Sequence, residues 1–141
     1  MTPKEDAKAG PVVFITTYAI KDGELERFLS FLRELLHALE AEDRDALAVN
    51  AYINAEGTEA SIVQLTPDAE SIKRFWRILH QRTGRSLGDL ATTTGVQTYG
   101  SLGDIAIERT RHSAGSTATV TVLPEHVGGF TRLGQTGQST P

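Results

Sequence analysis

The sequence predicts an α+β domain with a ferredoxin-like βαββαβ antiparallel sheet, both helices on one face, and an additional helix and strand at the C-terminal end. Three observations predict it. A β-branched run, "PVVFITTYAI", precedes a leucine-striped segment. Two alternating runs, "ALAVNAYIN" and "TEASIVQLT", are joined by "AEG". A second amphipathic segment, opened by "TPDAE", leads to another short strand, "GVQTYG".

Each element has a local cause. Residues 11–20 are rich in Val, Ile, Thr and aromatics, which suit a pleated strand. "KDG" turns the chain, with Asp22 as the expected N-cap of a helix over 24–42. In that helix Leu25, Phe28, Leu29, Leu32, Leu35, Leu36 and Leu39 recur at spacings of three and four and form one apolar stripe. The alternating runs 46–54 and 58–66, separated by a glycine-containing loop, read as a hairpin. In "TPDAE", Thr66 is the expected cap, Pro67 suits the first helical position, and Asp68 and Glu70 favour the positive end of the helix dipole. This second helix carries Ala69, Ile72, Trp76 and Leu79 and is expected to end near Gly84. Residues 86–94 read as irregular, with room for one helical turn. A short strand follows at 95–100, then a helix over 102–111, a loop, and a final strand over 117–123.

Length and composition allow one domain. The chain has 141 residues, which suffice for one core. It is expected over 11–133, with a core over 11–100 and an extension over 101–133; residues 1–10 and 134–141 read as polar disordered tails. A net charge of −4 argues against nucleic acid as a partner, since phosphate contacts need a basic face. With no cysteine, a disulfide framework, a thiol nucleophile and a Cys-based zinc site are excluded; the composition fits a reducing, cytoplasmic location. Residues 1–10 have no apolar core of the secretory kind, and no stretch nears the ~20 apolar residues of a membrane span. His37, His80, His112 and His126 are scattered and form no metal-ligand pair, so no metal is expected, and with no phosphate loop or dinucleotide glycine fingerprint no cofactor is expected.

The strands suggest how the sheet is used. One set of alternate residues reads Val13, Ile15, Thr17, Leu47, Val49, Ala51, Ile53, Ser61, Val63 and Leu65; the other reads Phe14, Thr16, Tyr18, Asn50, Tyr52, Ile62 and Gln64. Neither set is cleanly polar, so both faces are expected to be covered, one by helices and one by a second copy of the chain. The alternative is a monomer whose C-terminal strand and loops cover the second face. The set that mixes aromatics with amides and hydroxyls has the composition of a ligand pocket, and equally that of a core with satisfied tyrosines.

"VVFITTYAIKDGELERF" and "LAVNAYIN" followed by "GTEASIVQLTPDAESIKRF" resemble the antibiotic biosynthesis monooxygenase superfamily of dimeric α+β barrels over roughly residues 11–100. The resemblance lies in the strand ending Lys-x-Gly before a Leu/Phe-rich helix, in the hairpin, and in the Pro-Asp-Ala-Glu-Ser helix start. It implies a homodimer and, among known activities, cofactor-independent oxygenation of quinols or anthrones, or haem degradation. The haem-degrading branch has an asparagine on its first strand where this chain has Thr16. Its tryptophan and histidine are also arranged differently from Trp76 and His80, which share one helix here. Haem degradation is therefore not the expected activity.

Trp76 and His80 are four residues apart and lie on one helix face. An imidazole is the natural general base near neutral pH, so His80 is the catalytic candidate. Thr16, Tyr18, Asn50, Tyr52 and Trp76 are the candidates for holding a small aromatic or hydrophobic molecule. Plain alternatives stand beside these: a surface histidine on a basic helix, and core packing for Trp76. The same helix carries Lys73, Arg74, Arg77, Arg82 and Arg85, and the first carries Glu24, Glu26, Glu34, Glu40 and Glu42, so the two should attract each other; an anion on Arg74 or Arg77 is the other reading. "LPEHVGGFTRL" reads as a clasp: Pro124 ends the strand, Gly128 and Gly129 allow a reversal, and Phe130 and Leu133 dock on the domain or on a partner subunit. His126 and Arg132 are second-rank ligand-binding candidates there. The expected function is binding of a small aromatic molecule, with quinol or anthrone monooxygenation as its catalytic form; the alternative is a binding or interaction module without the chemistry.

Overall fold

The computed structural model describes residues 11–83 and 86–132. Both expected tails, together with Leu133, Gly84 and Arg85, lie outside the described residues. In chain order the elements are β1 (Val12–Ile20), α1 (Leu25–Glu42), β2 (Ala48–Ile53), β3 (Glu59–Thr66), α2 (Ala69–Thr83), α3 (Ser86–Leu90), β4 (Ala91–Tyr99), α4 (Asp104–Ala114) and β5 (Thr119–Leu123). The sheet order is β2-β3-β1-β4-β5. The first four strands pair antiparallel, as expected, but β5 runs parallel to β4, so the sheet is mixed. The parallel pairing follows from α4, which carries the chain back before β5 begins.

β1 is central, paired with β3 on one side and β4 on the other. Its alternate residues Val12, Phe14, Thr16, Tyr18 and Ile20 are all buried beneath the helices. From α1, Phe28, Leu32, Leu35 and Leu39 fill the same layer, each side chain worth roughly 1.5–3 kcal/mol of burial. From α2 the buried line is Ile72, Phe75 and Ile78, while Trp76 and Leu79 sit at its flank. The expected stripe on α2 is rotated from this line, which includes Phe75 and Ile78, and α2 packs on α1 as well as on the sheet.

Two helix starts differ from expectation. α1 begins at Leu25 after the Lys21–Glu24 turn, with Glu24 as cap residue and no side-chain cap bond, so Asp22 is not the cap. At α2 the cap is Asp68, whose Oδ1 accepts from the Ser71 backbone N–H at 3.2 Å. Thr66 instead ends β3, opposite Val12, and its hydroxyl donates to the Asp68 carbonyl at 3.0 Å. Residues 91–94, read as irregular, belong to β4, which is longer than expected because it pairs with β1 up to Ile20. A register shift at Thr17/Tyr18 lets β4 carry one extra residue.

The opposite charges of α1 and α2 do meet. Arg82 bonds Glu42 at 2.7 Å, and Arg74 reaches Asp45 and the buried Asp43 just past the end of α1. Burial raises the Asp43 carboxyl above its ordinary range, and the Arg74 guanidinium draws it back.

The largest correction concerns β2. Its register places Val49 opposite Gln64, Ala51 opposite Ile62 and Ile53 opposite Ala60, all on the helix face. Ala48, Asn50 and Tyr52 face the other way, with Leu65, Val63 and Ser61. The sequence-based grouping had these two halves of β2 exchanged, which put Asn50 and Tyr52 with Thr16 and Tyr18.

Gly100 joins β4 to the extension in a backbone conformation that only glycine adopts freely, with φ +108°. A Cβ there would stand 2.7 Å from the Pro11 carbonyl oxygen and 3.2 Å from the Val12 Cα. Gly100→Ala is expected to cost about 1–3 kcal/mol, read as a lower urea midpoint at unchanged m-value. An unaltered midpoint would show that this junction is not fixed.

Candidate functional site

A cavity of about 210 Å³ lies between the helix face of the sheet, α2 and α4. β1 supplies its floor through Phe14, Thr16 and Tyr18, because alternation sends all three to one side of the strand. α2 supplies one wall through Phe75, Trp76, Leu79 and His80, residues three and four apart that share a face. β4 adds Thr93 and Val96; the extra residue in β4 is what lets Thr93 pair with Tyr18. The opposite wall is α4, with Arg109, Thr110, Ser113 and Ala114.

The interior is aromatic. Phe14 meets Phe75 edge-on at 6.3 Å and Trp76 at 6.0 Å, and Tyr18 meets Phe28 at 6.0 Å. The mouth is polar, where His80, Arg109 and Ser113 are exposed. Burial pushes the Tyr18 phenol up to about 12, against a smaller opposing pull from the Thr16 hydroxyl. Tyr18 therefore stays protonated through the neutral range. It can donate a hydrogen bond to a ligand oxygen but cannot act as a base. The Thr110 hydroxyl donates to the Ala106 carbonyl at 2.8 Å, so it is already used within α4. Among the described residues no group of three or more His, Asp or Glu is placed to hold a metal ion.

Four sequence-derived candidates, Thr16, Tyr18, Trp76 and His80, thus line one cavity. Asn50 and Tyr52 do not: they project from the edge strand β2 on the opposite face, where Tyr52 is 60% exposed. His126 and Arg132 line a separate groove of about 770 Å³ on that opposite side, together with Val13, Leu65 and Tyr99. In this C-terminal arm Phe130 is 79% exposed, with Arg132 stacked 4.4 Å over its ring, so Phe130 does not dock on its own domain. Gly129 has a positive φ and Gly128 does not, and residues 124–132 form no turn, so the reversal expected at these glycines is not made.

Thr93, Arg109 and Ser113 were not expected in the site. No spacing signal singles out Arg109 from Arg111 without knowing how α4 docks. Gln64, grouped by alternation with Phe14, Thr16 and Tyr18, and Thr98 do not line the cavity. Both are fully buried, both stand opposite Phe14 on the neighbouring strands, and their side-chain polar atoms have no hydrogen-bond partner.

No protein-family model matches the sequence, and no curated protein does. Solved structures do match. MupZ from Pseudomonas fluorescens superposes with a TM-score of 0.66 at 12% identity, covering 87% of this chain and 95% of that one. An asparagine-to-alanine variant of SnoaB, a cofactor-independent oxygenase from Streptomyces nogalater, gives 0.54 at 14% identity, covering 69% of this chain and 98% of its own. A Chloroflexus aurantiacus protein, provisionally assigned as an antibiotic biosynthesis monooxygenase, gives 0.53 at 11% identity over 63% of this chain and 90% of its own. The chain has the antibiotic biosynthesis monooxygenase fold. The match to MupZ spans more than the ferredoxin-like core and so includes part of the extension.

A buried amide without partners costs stability that an isosteric thioether would not. Gln64→Met is expected to raise stability by about 1 kcal/mol in urea titrations. A loss of stability would mean that the amide is satisfied in solution.

Proposed function

We propose that this protein binds a small aromatic molecule in the cavity beneath α2 and α4 and oxygenates it without a cofactor. The observation that carries the reading is the convergence of His80 and the neutral Tyr18 phenol on one aromatic-lined cavity. Its volume of about 210 Å³ falls below the ~300–1,000 Å³ of typical drug-sized pockets, which suits a quinol or anthrone ring system and not a haem.

In this chemistry the substrate supplies the electrons. His80 removes a proton from the activated phenol or ring CH₂, leaving an electron-rich anion. The anion reduces O₂, a C–O bond forms at the activated carbon, and the resulting peroxide loses water to leave a carbonyl. One oxygen atom ends in the product and one in water, and the proton held by His80 returns with the leaving oxygen. Tyr18 donates to the substrate oxygen on which charge develops, and the aromatic walls exclude water from the anion. Oxygen uptake with a panel of hydroquinones and anthrones is expected to exceed the uncatalysed rate. His80→Ala should lower kcat by about 10²–10⁴-fold. Uptake no faster than without protein would remove the oxygenase reading for that class and leave the binding module.

The protein is also proposed to act as a homodimer paired through the open face of the sheet. Val13, Ile15, Val63 and Leu65 form a half-buried apolar patch there, flanked by Tyr52 and by Leu123, which is 59% exposed. The arm beside it presents Val127, fully exposed, and Phe130. Such a surface is a liability for a monomer and an ordinary interface for a dimer. Sedimentation at micromolar concentration is expected to give a dimer, and Val63→Lys a monomer. A monomeric wild type would sink the pairing.

A further inference from the structure

We infer that the molecule bound in this cavity carries a carboxylate, and that Arg109 of α4 is the residue that recognises it. The inference rests on the cavity being the ligand site and adds the chemical class of the ligand. Arg109 lines the cavity, and among the described residues no Asp or Glu does. Among the described residues Arg109 has no ion pair, as is also true of Arg33, Arg44, Arg77 and Arg111, and of these five it is the one that lines this cavity. An acidic chain, with net charge −4, thus leaves a guanidinium uncompensated at the rim of its most aromatic cavity.

Of the other ionisable groups in that wall, Tyr18 is neutral through the physiological range and His80 lies on the opposite helix, so neither cancels the charge. Ser113, four residues on from Arg109 and on the same side of α4, adds a hydroxyl to the rim, while Thr110 between them has spent its own on Ala106. A guanidinium has the planar, forked geometry that takes a carboxylate through two parallel N–H···O bonds. With the carboxylate at Arg109, the ring system lies against Trp76 and Phe14 and points toward Tyr18. The reading is therefore an aromatic acid, a phenolic or quinol ring bearing one carboxylate.

The test compares 1,4-dihydroxy-2-naphthoic acid with its methyl ester, which has the same rings without the charge, by anaerobic calorimetry. Quenching of Trp76, the single tryptophan of the chain, reports whether binding occurs in this cavity. Wild type is expected to bind the acid about tenfold more tightly than the ester, as one charge-assisted contact at a partly exposed site allows. Arg109→Gln should abolish that preference by lowering acid affinity to that of the ester, and Arg109→Lys should retain part of it. Equal affinities for acid and ester in wild type would overturn the inference and leave the cavity reading standing. A preference that survives Arg109→Gln and disappears in His80→Gln would also overturn it, by moving recognition to the imidazole. Binding of neither compound would remove the cavity reading and this inference together.

Discussion

The position of β1 in the sheet is the constraint on which the rest depends. Hydrogen-bonded on both edges, it cannot slip by one residue without exposing Phe14 and Tyr18 and burying Val13, Ile15, Thr17 and Ala19 in their place. Its alternation therefore fixes two surfaces at once. Val12, Phe14, Thr16, Tyr18 and Ile20 form the floor on which α1, α2 and α4 rest. Val13, Ile15 and Thr17 form the middle of the open face. Cavity and open face are thus two sides of one strand, with a single residue step between them.

That step also explains what could be read from the sequence and what could not. β1 and α1 were legible because their patterns are long and unambiguous: nine alternating residues and an apolar stripe running from Leu25 to Leu39. Elements with a mixed pattern were not. β2 reads Ala-Val-Asn-Ala-Tyr-Ile, with apolar residues at both parities, so composition cannot say which side is buried. The hairpin decides it. Asn54 donates its backbone N–H to the Glu59 carbonyl and its side-chain oxygen takes the N–H groups of Thr58 and Glu59. This closure pairs odd residues of β2 with even residues of β3, and Asn50 and Tyr52 turn to the open face.

The site shows the same division. Trp76 and His80 were legible as a pair because a helix places residues four apart together wherever it docks. Thr16 and Tyr18 were legible because they share a strand face. Thr93 depends on the extra residue in β4, and Arg109 depends on the docking angle of α4; neither is encoded in a local repeat. Gln64 was grouped by alternation with Phe14, Thr16 and Tyr18, and it is fully buried on that face between β1 and β2.

The extension is more than a cap on a finished domain. Without α4 the cavity would lose Arg109, Thr110, Ser113 and Ala114, a whole wall, and open to solvent along that side. β5 then fixes α4 by pairing parallel with β4 from Gly95 to Tyr99, and the Gly100 N–H closes on the Leu123 carbonyl at 2.9 Å. The core thus contributes the groups that any aromatic ligand would meet: Phe14, Tyr18, Trp76 and the imidazole of His80. Under the proposed function, the extension would contribute the groups that distinguish one aromatic ligand from another. Selectivity and chemistry would then sit on different segments of the chain, and changes in α4 would alter which molecule enters while His80 and Tyr18 stay where α2 and β1 hold them.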